Sequence, residues 1–290
     1  MSKTLRPPKA RQIIDKIFVI LICTIICIIM LFPFYFMVTS SIKETSEYVN
    51  PVPTLFPHSF STWGYALIFN KIDIFGKFFL NSLYVSLLIP VLQTVVCLPA
   101  AYAFARLKFK GKNVLFFILI SAMMIPGSLT IIQNFRTMSE LHLINNLNSI
   151  VLISIFSPSC IFMMRQFFLS LPKELEEAGK IDGANAFQNF LYVIAPLSVP
   201  TITVNLILCF NGVWGDFFTP MIFLKQQQSM TLPLGLTVIM GALGTADPTV
   251  EMAALTITCI PVLIVFFVFR KKLISGISTT GLKMWGDKND

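Results

Sequence analysis

The stretch IFVILICTIICIIMLFPFYFMVTSSI, residues 17–42, carries no charged side chain. A helix needs about 20 predominantly apolar residues to cross a bilayer core about 30 Å thick, so this stretch can span a membrane. The apolar core of a signal peptide is much shorter, about 7–15 residues, and no small-residue cleavage site follows this one. We therefore expect a retained first transmembrane helix.

Five further charge-free runs follow along the chain. They cover residues 78–105, 113–135, 143–164, 183–215 and 252–269. Only helices and closed barrels satisfy their backbone hydrogen bonds inside lipid, and these runs lack the alternation of barrel strands. The whole chain of 290 residues is 55% hydrophobic and 12% charged, with a mean hydropathy of +0.77. The sequence thus predicts an all-α integral membrane protein with six transmembrane helices.

The chain carries a net charge of +8, and its Lys and Arg residues are unevenly distributed. If both termini are cytoplasmic, 17 of the 22 basic residues lie in segments inside the cell. This asymmetry is the positive-inside pattern, so the basic excess reports orientation rather than a nucleic-acid partner. We predict a cytoplasmic arm (1–16), a six-helix domain (17–270) with an extracellular loop at 225–250, and a cytoplasmic tail (271–290).

Other classes of membrane protein fit less well. An ion-coupled secondary transporter usually places charged residues at membrane depth, and none of the six runs supplies one. An intramembrane enzyme would need a nucleophile–base pair or a metal site, whereas the two histidines, His58 and His142, fall in predicted external segments. All six cysteines lie in predicted spans and are expected to be small packing residues. We expect neither an enzyme nor a metal site, and the secondary transporter remains an alternative.

The peptide ELEEAGKIDGA, residues 174–184, interrupts this apolar chain within a predicted cytoplasmic segment, residues 165–192. Its glutamates suit the first turns of a helix, where the helix dipole favours negative charge. Gly183 suits the end of that helix, and Asn185 with Gln188 predicts a capping box for a second one. Interfacial helices favour Lys and Arg on their polar face, so this acidic segment is expected to contact a protein partner with basic residues.

The same segment resembles the EAA loop of the inner-membrane subunits of binding-protein-dependent ABC importers. In that family the sequence reads E-A-A, then glycine, then nine residues, then I-x-L-P. Here Glu177-Ala178-Gly179 is followed by Gly183, nine residues, and Val193-Ile194-Ala195-Pro196. Gly179, Val193 and Ala195 depart from the family pattern, and Gly179 is expected to soften the helix.

The resemblance extends over nearly the whole chain. It is carried by FLNSLYVS (79–86), AAYAFARLKFKG (100–111), MMIP (123–126), RQFFLSLPKELEEA (165–178), TLPLGL (231–236), MAA (252–254) and ISG (274–276). These stretches look like the carbohydrate branch, specifically the second permease of maltose-, multiple-sugar- and glycerol-phosphate-type importers. Two places depart from that branch: Trp214-Gly215-Asp216, where the branch has W-N-D/E, and the tail at 281–286.

The resemblance implies the type I permease fold of ABC importers and a role in carbohydrate import, with a non-sugar solute as the alternative. It also implies that the acidic segment couples to a separate ATPase. The expected coupling residues are Glu174, Glu177, Ala178, Gly179, Asp182, Gly183, Ala184 and Pro196. The expected partners are a homologous permease forming a heterodimer, an ABC ATPase dimer that holds ATP and Mg²⁺, and an extracellular or periplasmic solute-binding protein. No cofactor is expected on this chain, and the implied location is the plasma or inner membrane of a bacterium or archaeon.

Sugar recognition needs hydrogen-bonding groups and an aromatic face, so polar and aromatic residues of the predicted spans are candidate pathway residues. They are Gln93, Asn205, Asn211, Trp214 and Asp216. Such residues often only join helices, and Asp216 could instead cap the span. The resemblance further implies that the loop between the last two spans contacts the binding protein. The residues expected there are Gly241, Gly244, Asp247 and Pro248.

Overall fold

A computed structural model of the protein describes residues 9–71, 74–242 and 247–286. Within these ranges the regular structure is helical, apart from one isolated antiparallel bridge between Lys43 and Phe60. The described chain divides into two compact units. The first unit contains residues 9–71 and 247–259, and the second contains residues 74–242 and 260–286.

The first unit contains the first apolar helix and the segment that follows it. Its helices are α1 (Lys9–Ser40), α2 (Thr45–Tyr48) and α3 (Trp63–Lys71). The segment after α1 is organised by the Glu47 carboxylate, which accepts hydrogen bonds from the Thr54 hydroxyl at 2.6 Å and from the backbone N–H groups of His58 and Ser59 at 3.0 and 3.3 Å. The Thr54 hydroxyl first, and then these other donors, lower the pKa of Glu47 to about 2.

The second unit contains most of the remaining helices. They are α4 (Phe75–Arg106), α5 (Lys112–Ala122), α6 (Gly127–Glu140), α7 (Leu147–Ser154), α8 (Pro158–Ser170), α9 (Glu174–Ile181), α10 (Ala186–Gln188), a π-helix (Asn189–Ile194), α11 (Ala195–Leu197), α12 (Val199–Trp214), α13 (Phe218–Phe223), a 3₁₀ turn (Gln227–Ser229) and α14 (Leu232–Ala242). The last helix, α15 (Pro248–Gly286), belongs to both units. Its residues up to Cys259 are part of the first unit, and the remaining residues are part of the second.

Three of the six predicted spans are single long helices, and the other three are broken. Asp15–Ser40, Phe75–Arg106 and Pro248–Arg270 are each long and apolar enough to cross a membrane. The bends are 96° between α5 and α6, 41° between α7 and α8, and 73° between Ala186–Leu197 and α12. The helices after these breaks begin next to Pro126, at Pro158 and next to Pro200, because the missing N–H of proline is tolerated in the first turn of a helix, where it would have no partner within the helix. Counting each bent pair as one span gives up to six crossings.

Helices extend into three of the segments predicted as arm, loop and tail, and the division into these segments stays a prediction. The helix α1 starts at Lys9, inside the predicted arm, and α15 continues to Gly286, through most of the predicted tail. The apolar pattern marks only the part of a helix that meets lipid, whereas backbone hydrogen bonds continue into polar residues. The predicted loop at 225–250 contains the apolar helix α14, which is too short to cross a bilayer and therefore gave no span signal.

The helix α14 docks on the N-terminal part of α4. The backbone N–H of Leu232 donates to the Ser82 hydroxyl at 2.7 Å, and the Asn81 amide donates to the Met230 carbonyl at 2.9 Å. Gly235 lies against the buried Phe78 ring so closely that a Cβ would stand 2.1 Å from its nearest carbon. These contacts join FLNSLYVS to TLPLGL, two stretches far apart in the sequence.

A hydrophobic cluster joins α4, α8 and the π-helix at the other end of α4. Its buried members are Cys97, Leu98, Ala101, Tyr102, Ala105, Cys160, Ile161, Met164, Phe168, Phe190 and Ile194. The Tyr102 ring meets Phe168 edge-on with centroids 6.2 Å apart and lies 5.1 Å from Phe190. The chain that leaves the acidic helix α9 is therefore anchored in the same core as α4 and α8.

Candidate coupling surface

The predicted helix–turn–helix is present at the acidic peptide. Glu174, Glu176 and Glu177 occupy the first turn of α9, and Lys180 lies in its last turn, so both ends complement the helix dipole. Gly183 follows with φ +84°. The Ala184 N–H donates to the Gly179 carbonyl at 2.9 Å and the Gly183 N–H to the Lys180 carbonyl at 3.0 Å, which together form a Schellman motif.

The second helix begins with the predicted capping box. The Gln188 backbone N–H donates to Asn185 Oδ1, and the Asn185 backbone N–H donates to Gln188 Oε1, both at 2.9 Å. The helix then widens into the π-helix Asn189–Ile194, which the sequence did not predict. Of the expected coupling residues, Pro196 lies beyond it in α11, and the other seven lie in α9 and the turn.

Gly179 lies at a close approach between α9 and the π-helix. A Cβ on this residue would lie 2.0 Å from Asn189 Oδ1 and 3.0 Å from Asn189 Cγ. Asn189 is buried, and its Nδ2 donates to the Glu176 carbonyl at 3.3 Å. The departure from E-A-A, predicted only to soften the helix, is therefore also a packing requirement of this chain.

The two faces of α9 have different surroundings. Glu176 and Gly179 are half-buried, while the other residues of this helix are exposed, and none is fully buried. The Glu176 Oε1 atom lies 3.1 Å from Arg106 Nε, and the side chains of this pair are only 13% and 5% exposed. The outward face holds the expected residues Glu174, Glu177 and Ala178.

Exposed apolar side chains accompany the outward acidic face. Ile181 at the end of α9 is 86% exposed, and Phe187 in α10 and Tyr192 in the π-helix are exposed as well. An exposed apolar group rimmed by polar residues is typical of a protein contact site. Glu174, Glu177 and Ile181 share one face of α9 and together offer an acidic and apolar surface, the composition expected of a docking face for a basic partner.

Arg106, which sequence reasoning did not single out, contacts the acidic helix through Glu176. It was counted only among the basic residues that report orientation, although it ends α4 and is buried. Two neighbouring cations also bind this helix end: Lys112 Nζ donates to the Ala105 and Leu107 carbonyls at 3.1 and 2.9 Å, and Arg165 Nε donates to the Phe104 carbonyl at 3.1 Å. Cations at a helix C-terminus are favoured by its dipole. The burial of Arg106 depends on contacts with α8 and α9, so the sequence carried no local signal that separated it from the other basic residues of the turn.

The candidate pathway residues do not form one site. Gln93 and Asn205 are buried between helices: Gln93 Nε2 donates to the Ser154 carbonyl at 3.1 Å, and Asn205 Nδ2 lies 3.5 Å from Thr94 Oγ1. Asp216 Oδ1 accepts the Thr219 N–H at 3.2 Å at the start of α13. Each of these contacts joins or caps helices. Their part in a substrate pathway stays a prediction.

Asn211 and Trp214, three residues apart on α12, have opposite environments. Asn211 is exposed, whereas Trp214 is buried between Phe79, whose ring meets it edge-on at 5.6 Å, and Phe210, which stacks on it at 5.9 Å. Only Asn211 therefore presents its side chain to the surroundings of this chain. Both remain predictions as pathway residues.

The residues expected to contact a binding protein occupy helix ends. Gly241 is the penultimate residue of α14, Pro248 begins α15, and Gly244 lies outside the described residues. Asp247 Oδ1 accepts the Thr249 N–H at 3.0 Å, and its Oδ2 accepts the Thr45 hydroxyl at 2.8 Å. Burial raises the pKa of Asp247, but the hydrogen bonds from Thr249 and Thr45 outweigh it and the net shift is downward. Asp247 is thus already engaged in local structure.

Comparison with known proteins places this architecture among transport proteins. Residues 96–278 match the family described as the inner membrane component of binding-protein-dependent transport systems. The arabinooligosaccharides transport system permease protein AraQ of Bacillus subtilis (strain 168) is 31% identical, covering 87% of this chain and 90% of AraQ. The diacetylchitobiose uptake system permease protein DasC of Streptomyces coelicolor is 28% identical, covering 94% and 99%.

A solved structure has the same fold. It is a chain of a bacterial ABC transporter involved in the import of the acidic polysaccharide alginate, with a TM-score of 0.81 and 24% sequence identity. The match covers 93% of this chain and all of that chain.

Proposed function

Because this chain belongs to the family of inner-membrane components of binding-protein-dependent transport systems, we propose that it is one permease subunit of an ATP-driven importer for a carbohydrate, either an oligosaccharide or a sugar derivative. The relatives support this substrate class, since their names specify arabinooligosaccharides and diacetylchitobiose, and the solved transporter imports alginate. The chain is a multi-pass membrane protein. Its residues would guide a sugar across the bilayer rather than catalyse a reaction.

The observation that carries the proposal is the exposed helix α9. Its outward face presents Glu174 and Glu177 beside the exposed Ile181, and the turn at Gly183 fixes its end. A separate ATPase dimer, which would hold ATP and Mg²⁺, would bind this face. Closure of that dimer would displace α9 and shift the transmembrane helices between two states. The ATP site and the sugar pathway would in this way be coupled allosterically.

The proposed topology has six spans with both termini in the cytoplasm of a bacterium or archaeon. The three long helices and three bent pairs supply enough apolar length for six crossings, and the Lys and Arg distribution favours this orientation. A homologous permease would complete the pathway as the second half of a heterodimer. A solute-binding protein outside the membrane would deliver the sugar near the segment that includes Gly241 and Pro248.

The test is the ATPase activity of the assembled complex in lipid, with the binding protein and a panel of arabino-oligosaccharides, diacetylchitobiose and alginate oligosaccharides. Gly183→Pro should abolish stimulation by sugar-loaded binding protein, because proline fixes φ near −65° and Gly183 has φ +84°. Ala186→Pro is the matched control. It places proline at the first residue of α10, where the fixed φ suits the helix and no N–H is lost from it.

Loss of stimulation in Gly183→Pro, with Ala186→Pro active and both complexes assembled, would support the proposal, and the stimulating sugar would identify the substrate. Full stimulation of Gly183→Pro would show that this segment is not the coupling element.

A further inference from the structure

Arg106 connects three separate helices at one point. It is the last residue of α4, and its Nη2 donates to the carbonyls of Phe168 and Leu171, both at 2.6 Å, at the end of α8. Its Nε lies 3.1 Å from Glu176 Oε1 on α9. One guanidinium therefore ties the ends of α4 and α8 to the acidic helix.

This ion pair is an isolated, buried contact. Arg106 Nε and Glu176 Oε1 are both buried, and within the described residues neither atom makes a hydrogen bond, so the attraction between their charges is what joins them. Breaking a buried pair by removing one member leaves an uncompensated charge, which is far more costly than losing a surface pair. The contact is thus a fixed joint rather than an exchanging surface interaction.

The helix α9 has little else to hold it in place. None of its residues is buried, so it lacks the apolar face by which amphipathic helices usually pack. A further polar attachment is the Asn189 amide, which donates to the Glu176 carbonyl at 3.3 Å. Both attachments meet at Glu176, so this residue is where polar contacts hold α9 against α4 and the π-helix.

We propose that Arg106 and Glu176 are positioning residues that transmit displacement of α9 to α4 and α8; this rests on the proposed function of α9 as the coupling helix. A push on the outward face of α9 reaches α4 through Arg106 Nε, and it reaches α8 through the two carbonyls that Arg106 binds. Because α4 and α8 share one close-packed cluster, they move together. Arginine suits this role since its planar fork binds three acceptors at once, which a lysine ammonium on a flexible stem does not match.

The test measures sugar transported per ATP hydrolysed in proteoliposomes, using whichever sugar of the panel stimulates the wild type. Arg106→Lys and Glu176→Gln should lower this ratio at least about fivefold, the lower end of coupling between separated sites. The matched control is Arg136→Gln with Glu140→Gln. It removes an Arg–Glu pair of nearly the same length, 3.0 Å, whose side chains are 74% and 66% exposed, and the ratio should not change.

The double variant Arg106→Gln with Glu176→Gln separates transmission from folding. It leaves no unpaired charge, so the complex should assemble, yet the ratio should stay low because the joint between charged groups is gone. An assembled double variant with the wild-type ratio would mean that the pair only stabilises the fold, and it would overturn this inference alone. A wild-type complex whose ATPase ignores the loaded binding protein would overturn the proposed function and this inference with it.

Discussion

Replacing Gly179 with alanine tests whether the close approach of α9 to Asn189 shapes the coupling helix. The added Cβ would lie 2.0 Å from Asn189 Oδ1, whereas ordinary contacts begin at 3.4 Å. Asn189 cannot turn aside without losing its bond to the Glu176 carbonyl inside a buried site. Overpacking of this kind costs about 1–3 kcal/mol. Against it stands the gain of about 1 kcal/mol when alanine replaces glycine within a helix.

The sign of the effect should therefore depend on residue 189. In the wild-type background, Gly179→Ala should destabilise α9. In an Asn189→Ala background the obstacle is gone, and the same substitution should stabilise the helix by about 1 kcal/mol, roughly fivefold in its opening equilibrium. Gly212→Ala in α12 is the control. A Cβ there meets no heavy atom within 4 Å, so the two backgrounds should respond alike.

Amide hydrogen exchange in lipid nanodiscs reads this local opening directly. The informative amides are those of Asp182, bonded to the Ala178 carbonyl at 3.1 Å, and Ala184, bonded to the Gly179 carbonyl at 2.9 Å. Both should exchange faster in Gly179→Ala and slower in the double variant than in Asn189→Ala. If Gly179→Ala slows exchange equally in both backgrounds, the close approach does not exist and the reasoning fails.

Three further expectations follow from other contacts. Gly235→Ala should lower the thermal stability of the complex by about 1–3 kcal/mol, because its Cβ would overlap the buried Phe78 ring. Gly241→Ala has open space around its Cβ and should not lower stability, since alanine favours a helix over glycine. Equal melting temperatures for the two variants would contradict this packing. Trp214→Ala should lower the free energy of unfolding by about 3–5 kcal/mol, because the side chain is buried. Asn211→Ala should change the free energy of unfolding by no more than about 0.5 kcal/mol, because the side chain is exposed. As a candidate pathway residue, Asn211 predicts that this variant needs a higher sugar concentration for half-maximal transport. A lowered pKa in the folded state stabilises above the unfolded value, so Glu47 should order the segment after α1 fully above pH about 4.5 and progressively less as pH falls toward 2. Limited proteolysis of this segment across pH checks this, and Glu47→Gln should remove the dependence; an unchanged profile would count against the hydrogen-bond account.

Local signals were enough to predict the helix–turn–helix that begins at Glu174, while its coupling role stays a prediction. The glycine that ends α9 and the Asn185–Gln188 capping box act over three to five residues, and both are present as predicted. The long apolar runs likewise predicted the membrane class, because length and charge alone decide whether a helix can cross. Bends were harder. Pro126 lies at the break between α5 and α6, but the 96° angle between these helices depends on how each one packs, which no local pattern contains.

The roles of the three glutamates show where sequence reasoning reached its limit. Residues three or four apart share one face of a helix, so the spacing already separates Glu176 and Gly179 from Glu174, Glu177 and Ile181. What the spacing cannot say is which face turns inward. That choice depends on Arg106, 70 residues earlier, and on Asn189, ten residues after Gly179. Both contacts form only in the folded chain. The buried guanidinium of Arg106 requires an acid opposite it, and the side chain of Asn189 leaves room only for a glycine at position 179. The acidic composition of this helix therefore has two origins, one glutamate that fixes the helix to the protein and two that face outward toward a partner.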